Sequence, residues 1–206
     1  MLYSDAYKKR TGRSFLYNIA PIANVASILQ LGILSKNLVI KERIPYKSLA
    51  NEDVQQKRDL KWILNGRLHD YANLYFNPRN PMLYTLKQNN QGQFCLLEVD
   101  YTVLDFPEVV VTDMNAAASF SKFLTPREGL DEIDFSVINT VYWNDFDPVI
   151  KDYKKKHICA EVLVPDKVPP QLIKGILVPN SMMKCTLLEF GIDEKIISED
   201  KFLFFE

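Results

Sequence analysis

A single carboxylate inside an apolar run constrains this chain more than any other feature. Residues 158–164 read Ile-Cys-Ala-Glu-Val-Leu-Val, small, branched or apolar apart from Glu161, and Pro165-Asp166 then end the run as a turn. Such a run is a buried strand. A carboxylate there costs several kcal/mol, roughly 2 or more even for a partly compensated polar group, unless something bonds it. Glu161 is therefore paired, functional, or turned outward on the polar face of an edge strand.

The elements around it mix helix and strand without repeats. Residues 15–19 read as a first strand, and residues 21–31 as a helix with Ile22, Val25, Ile28 and Leu29 at helical spacing and Gly32 as its cap. Residues 50–63 look like a second, polar helix carrying Arg58, with Gly66 soon after. Residues 94–99 and 109–111 read as strands, after which Thr112-Asp113 offers a capping oxygen for a helix through Phe123. A short helix follows Leu130, and residues 142–156 have the composition of an ordered loop leading into the Glu161 strand. Residues 173–178 and 185–189 complete the strands. Strand-rich excursions rather than a repeating βαβ unit make the class α+β. At 206 residues and 47% hydrophobic content, residues 1–206 form a single domain with one core.

Several function classes recede on composition. No run of about 18 apolar residues spans a bilayer, and Asp5 followed by Lys8, Lys9 and Arg10 does not suit a signal peptide, so the expected location is cytoplasmic, away from membranes. Cys95, Cys159 and Cys185 sit in strand-like runs without metal-ligand spacing and read as reduced core residues; with His69 and His157 equally unspaced, no metal is expected. The net charge of −1 gives no global attraction for nucleic acid. Charge is nonetheless clustered locally: Lys8, Lys9, Arg10 and Arg13 near the start, and Lys151 with Lys154, Lys155 and Lys156 beside the Glu161 strand.

The middle of the chain holds an aromatic corner. Leu74-Tyr75-Phe76 reads as strand, Asn77-Pro78-Arg79-Asn80 breaks it, and Pro81 opens a short helix with Met82 and Tyr84. These rings are either core or a stacking wall for a flat ligand.

Five ordered blocks now carry a resemblance. They are Tyr-Phe-x-Pro-Arg-x-Pro-Met-Leu-Tyr at 75–84, Thr-Asp-x-Asn-Ala at 112–116, Leu-Asp-x-Ile-Asp at 130–134, Tyr-Trp-Asn-Asp at 142–145 and Ala-Glu-Val-Leu-Val-Pro at 160–165. Together, over roughly residues 15 to 180, the chain resembles the DarT family of DNA ADP-ribosyltransferase toxins. The resemblance implies a compact ADP-ribosyltransferase fold: a split β-sandwich with flanking helices around a central cleft that takes NAD as co-substrate. It makes Glu161 the catalytic glutamate, facing the nicotinamide ribose, and Arg58 a catalytic arginine facing the cleft, which contacts the NAD phosphates or the acceptor base and assists proton removal; since an arginine is a poor base, the physical assignment is charge stabilisation. Tyr17, Asn18, Ile19, Tyr71, Tyr75, Phe76 and Met82 are then the candidates for NAD binding. Tyr142, Trp143, Asn144, Lys154, Lys155 and Lys156 are the candidates for binding DNA through a substrate loop.

By the same resemblance the enzyme acts as a monomer on a base of single-stranded DNA, and its partner is a macrodomain antitoxin of the DarG type. One position departs from the family pattern. Where members often carry a Tyr-His-Ile-Thr segment, this chain has Tyr17-Asn18-Ile19-Ala20, and Asn18 bonds without charge. The alternatives are a transferase acting on RNA or protein, and a non-catalytic nucleic-acid-binding module on the same scaffold.

Overall fold

The computed structural model describes residues 2–49, 52–89 and 93–206. Its helices are α1 (Tyr3–Thr11), α2 (Val25–Leu31), α3 (Lys36–Lys41), α4 (Glu52–Asp59), α5 (Pro81–Gln88), α6 (Pro126–Glu132), α7 (Phe135–Ile138), α8 (Pro148–His157) and α9 (Ser181–Glu189). Its strands are β1 (Phe15–Pro21), β2 (Ile33–Leu34), β3 (Trp62–Ile63), β4 (Gly66–Arg67), β5 (Tyr71–Tyr75), β6 (Phe94–Asp100), β7 (Val110–Thr112), β8 (Phe123–Leu124), β9 (Glu161–Pro165), β10 (Lys167–Val168), β11 (Ile173–Val178) and β12 (Ile197–Glu199). None of the described helices is long and apolar enough to cross a membrane.

Among the described residues the main sheet has eight strands in the order β12-β11-β6-β1-β5-β9-β7-β8, antiparallel except for β11 with β12. Alternation decides its faces. Leu16 and Ala20 of β1, Leu97 and Val99 of β6, and Val162 and Val164 of β9 all point into one core, as a period of two requires. The intervening residues face the other way, where α5 and the chain's end cover one half and the β3–β4 hairpin the other.

The sheet is split along its middle. Strand β1 pairs with β6 continuously from Phe15↔Asp100 to Pro21↔Phe94, and β5 with β9 from Tyr71↔Pro165 to Tyr75↔Glu161. Strands β1 and β5, by contrast, meet at Tyr17↔Tyr75 and then diverge. The Asn18 side chain crosses the gap, donating through Nδ2 to the Asn73 carbonyl at 3.0 Å. Each edge thus leaves ladder groups free to bind something other than the facing strand.

Local chemistry explains the caps. Gly32 ends α2 with φ +96°, donating to the Ile28 carbonyl at 2.8 Å, and a side chain there would collide with the Val168 carbonyl. Asn80 accepts from the Leu83 amide at 3.0 Å ahead of Pro81, so α5 starts where the turn chemistry places it.

Four expectations are corrected. The helix from Thr112 to Phe123 does not form: residues 113–122 are turns, because the Thr112 hydroxyl donates to the Met114 carbonyl at 2.6 Å and Asn115 Oδ1 accepts from the Ala117 amide at 2.8 Å. The second half of the 142–156 loop is α8, capped by Asp147, whose carboxylate accepts from the Val149 amide at 2.8 Å before Pro148. Residues 185–189 belong to α9, capped by Asn180, and Cys185 is exposed rather than in the core. The helix expected over 50–63 stops at Asp59 and a two-strand hairpin follows; its start at Ala50 lies outside the described residues.

Candidate active site

Glu161 lies directly opposite Tyr75, at the end of β5 where the sheet divides, and it is fully buried. Its carboxylate accepts three hydrogen bonds, two on Oε1 and one on Oε2. Arg58 Nη1 donates to Oε1 and Nη2 to Oε2, each at 3.2 Å, and the Ala116 amide donates to Oε1 at 2.9 Å. The backbone is fixed as well, since the Glu161 amide donates to Thr112 Oγ1 at 2.9 Å. A two-pronged guanidinium is the geometry that suits a carboxylate best.

Arg58 comes from the last turn of α4 and is only 9% exposed. Burial disfavours its charge, yet the charge and hydrogen bonds of Glu161 outweigh that and hold the guanidinium above its ordinary value. The surroundings show the same field. Tyr75's phenol is pushed well up by burial and then by the Glu161 charge, and the Cys159 thiol is pushed up to about 12 by burial, with Glu161 adding to it. Both remain neutral beside the ion pair.

A cavity of about 300 Å³ opens at the split, within the roughly 300–1,000 Å³ range of small-molecule sites. Asn18 and Ile19 of β1, Tyr71 and Tyr75 of β5, Arg58, Met82 and Asn115 line it, and residues 44–49 run along its far side. The Asn24 side chain pins that segment by exchanging two hydrogen bonds with the Lys47 backbone, at 2.9 and 3.0 Å. Tyr17 and Phe76 are not in the lining. Tyr17 packs towards α5, and Phe76 sits in the main core against Tyr7 and Phe135, with ring centres 5.7 and 5.6 Å away.

Tyr142 is 71% exposed and Asn144 is exposed, while Trp143 packs edge-on against Tyr84 and Phe205 at 5.8 and 5.7 Å. Lys154 pairs with Asp145 at 2.8 Å and Lys156 with Asp152 at 2.5 Å; Lys155 is exposed and makes no ion pair among the described residues. The end of α8 is docked on the turn beside Glu161. Asn115 donates to the Lys156 carbonyl at 3.1 Å and His157 Nδ1 to the Asp113 carbonyl at 2.8 Å.

Sequence reasoning missed four contributors: Thr112, Ala116, Lys61 and the His69–Asp59 pair. Thr112 and Ala116 stood inside a quoted motif, but their roles depend on a turn that no periodicity announces. His69 is buried beside the cavity, with Nδ1 3.1 Å from Asp59 Oδ1 and Nε2 without a partner among the described residues. Burial lowers its pKa against the opposing hydrogen bond to Asp59.

Residues 17–201 match the family model described as DarT, ssDNA thymidine ADP-ribosyltransferase. The chain belongs to the DarT family. A DNA ADP-ribosyl transferase–DNA ADP-ribosyl glycohydrolase fusion protein of Thermosipho africanus is 35% identical over 170 residues, covering 80% of this chain and 42% of that protein. The solved structure of Thermosipho africanus DarTG in complex with ADP-ribose aligns with a TM-score of 0.80 at 32% identity, over 94% of this chain and 51% of that one. Thermus sp. 2.9 DarT in complex with ADP-ribosylated ssDNA aligns with a TM-score of 0.77 at 25% identity, over 93% and 96%. This chain therefore spans about half the length of the Thermosipho proteins it matches, and nearly all of the Thermus DarT. The mixed sheet with its flanking helices is the fold of those DarT structures.

Proposed function

We propose that this chain is a single catalytic domain that transfers ADP-ribose from NAD to a thymidine base of single-stranded DNA, releasing nicotinamide. The observation that carries the reading is Glu161: a fully buried carboxylate beside the sheet split, bonded to Arg58, which lines a cavity of ligand size. In the transfer, the bond between C1′ of the ribose and the nicotinamide nitrogen breaks, and its electron pair leaves with nicotinamide. A ring nitrogen of the base bonds to C1′, and its proton leaves to solvent.

Positive charge grows on the ribose as the first bond breaks. An anion fixed beside it helps the transition state more than the ground state, and a site formed before substrate arrives needs no reorganisation. In this reading Glu161 supplies that anion and bonds the ribose hydroxyl. Arg58 remains charged throughout, so it serves as an electrostatic partner and not as the base. Asn18, Ile19, Tyr71, Tyr75 and Met82 contact NAD from the cavity wall; Tyr17 and Phe76, placed elsewhere, are left out.

A base must be unstacked to present its ring nitrogen, which favours single strands. Tyr142, Trp143, Asn144 and the α8 lysines form the acceptor side. The relatives suggest further steps. Since the Thermosipho relative joins transferase and glycohydrolase in one chain, a macrodomain-type glycohydrolase that removes the mark is the proposed partner here. In this reading the enzyme works as a monomer in the cytoplasm, where NAD and DNA are both at hand.

Incubation with NAD and matched single-stranded, duplex and RNA oligonucleotides of varied base content, read by mass spectrometry, tests the whole reading. The expected result is one ADP-ribosyl group on thymidine-containing single strands, far slower gain on the duplex, and a loss of about 10²- to 10³-fold in Glu161→Gln. Modification of RNA or protein instead, or full activity in a folded Glu161→Gln, overturns it.

A further inference from the structure

We infer that Lys61 is a positioning residue for this transfer, acting on Glu161 through the turn at residues 116–118. The inference rests on the reading of Glu161 as the carboxylate that meets the substrate.

Lys61 lies two residues past the end of α4 and three after Arg58, and its amide donates to the Arg58 carbonyl at 3.2 Å. Its side chain does not run out to solvent. Nζ donates to the Ala116 carbonyl at 2.7 Å and the Ala118 carbonyl at 2.5 Å, and lies 4.9 Å from the centre of the Phe123 ring. Two of the three ammonium hydrogens are thus committed to one turn.

That turn holds the reacting carboxylate. The two peptide groups flanking Ala116 have separate tasks: one donates its N–H to Glu161 Oε1, and the other offers its carbonyl to Lys61. With both peptide planes anchored, Ala116 cannot rotate its amide away from the carboxylate. The rest of the turn is held by short polar side chains and by α8, through the Ala117 amide on Asn115 Oδ1 and the Asn115 amide on the Lys156 carbonyl. Lys61 is the anchor on the side facing α4.

One segment therefore supports both sides of the carboxylate, Arg58 directly and Ala116 through Lys61. Burial, and then the neighbouring Arg58, lower the Lys61 pKa, with Glu161 opposing them. A misplacement of about 1 Å in a reacting group costs on the order of 100-fold in rate, so a clamp this close to the reacting group bears on turnover.

The test uses Lys61→Met, which keeps the aliphatic stem over Phe123, and Lys61→Arg, whose guanidinium can serve both carbonyls. Measured are the turnover at saturating NAD and DNA, the NAD dissociation constant by calorimetry, and hydrogen exchange at the Ala116 amide. In Lys61→Met turnover should fall on the order of 10- to 100-fold, NAD affinity should stay within about threefold, and Ala116 should exchange faster. Lys61→Arg should recover most of the rate and the protection. Unchanged turnover, a rate loss that tracks lost affinity or lost folded protein, or unchanged exchange at Ala116 overturns the inference; if Lys61→Met does not fold, rate and exchange in Lys61→Arg decide it. An inactive wild type would instead overturn the functional reading beneath it.

Discussion

Removing Arg58 is the sharpest test of the pair at the centre of the site. Its guanidinium gives two hydrogen bonds at 3.2 Å to a carboxylate with no solvent exposure. In Arg58→Met the stem is replaced by a side chain of similar bulk, so the perturbation is mainly electrostatic. Glu161 Oε1 keeps the Ala116 amide, but Oε2 loses the one donor found for it among the described residues.

Breaking a buried pair from one side costs about 3 to 5 kcal/mol, because the remaining charge is left uncompensated. The neighbouring cavity lets water reach the carboxylate after the truncation, which favours the lower end, about 3 kcal/mol. For a chain of this length that is roughly 6 to 12 °C in Tm, and a large part of a typical total stability of about 5 to 15 kcal/mol.

The double variant Arg58→Met/Glu161→Gln removes both charges, and its stability should return to within about 1 kcal/mol of the wild type or exceed it. Urea unfolding of all four proteins, followed by circular dichroism at neutral pH, closes the cycle; the expected coupling is at least about 2 kcal/mol, and larger by whatever Glu161→Gln alone costs. If Arg58→Met unfolds at the wild-type urea midpoint and the coupling is near zero, the pair does not hold in solution, and the preformed anion loses its support. A site that is costly for stability when half removed and tolerable when wholly removed is one retained for chemistry.

Two further outcomes follow from charges away from the pair. Lys155→Gln should flatten the salt dependence of single-strand binding by about 0.7 in log–log slope, measured by fluorescence anisotropy, whereas Lys154→Gln and Lys156→Gln, whose ammonium groups already face Asp145 and Asp152, should do less. Equal flattening by all three would mean that those ion pairs open on DNA. Glu98, half-buried, has its carboxyl raised from about 4.5 by burial and then by Asp200. A raised folded pKa gives stability that is full below the unfolded value and lost as pH rises through the folded one, so Glu98→Gln should raise Tm at neutral pH, with the gain shrinking towards pH 4.5. A gain that grows on acidification would contradict the assigned cause.

The parts of the fold that are legible in the sequence are those where burial leaves an apolar pattern, alternating or continuous. Strand β1 shows because it buries alternate residues, β6, β9 and β11 show as apolar runs because both of their faces are largely buried, and the α5 start shows because Asn80-Pro81 is local turn chemistry. Helix α8 was invisible for the converse reason: Val149, Ile150 and Tyr153 are all exposed, so its apolar positions record no core, and only the Asp147-Pro148 cap marks it. Helix α9 was misread because Cys185-Thr186-Leu187-Leu188 has the composition of a strand, while only Leu187 is buried and Asn180 supplies the cap.

The site divides along the same line. Glu161 was conspicuous because a charge interrupts a period, and Arg58 was found through resemblance to a family segment. What holds Glu161 in place was not legible, since Thr112, Ala116 and Lys61 act through a hydroxyl, a peptide amide and two carbonyl contacts across long sequence separations. Backbone donors carry no side-chain signature, so a site built on a turn is written in the fold rather than in residue types. The reacting anion can then be conspicuous in a sequence while its placement, on which rate depends most steeply, stays hidden until the turn is seen.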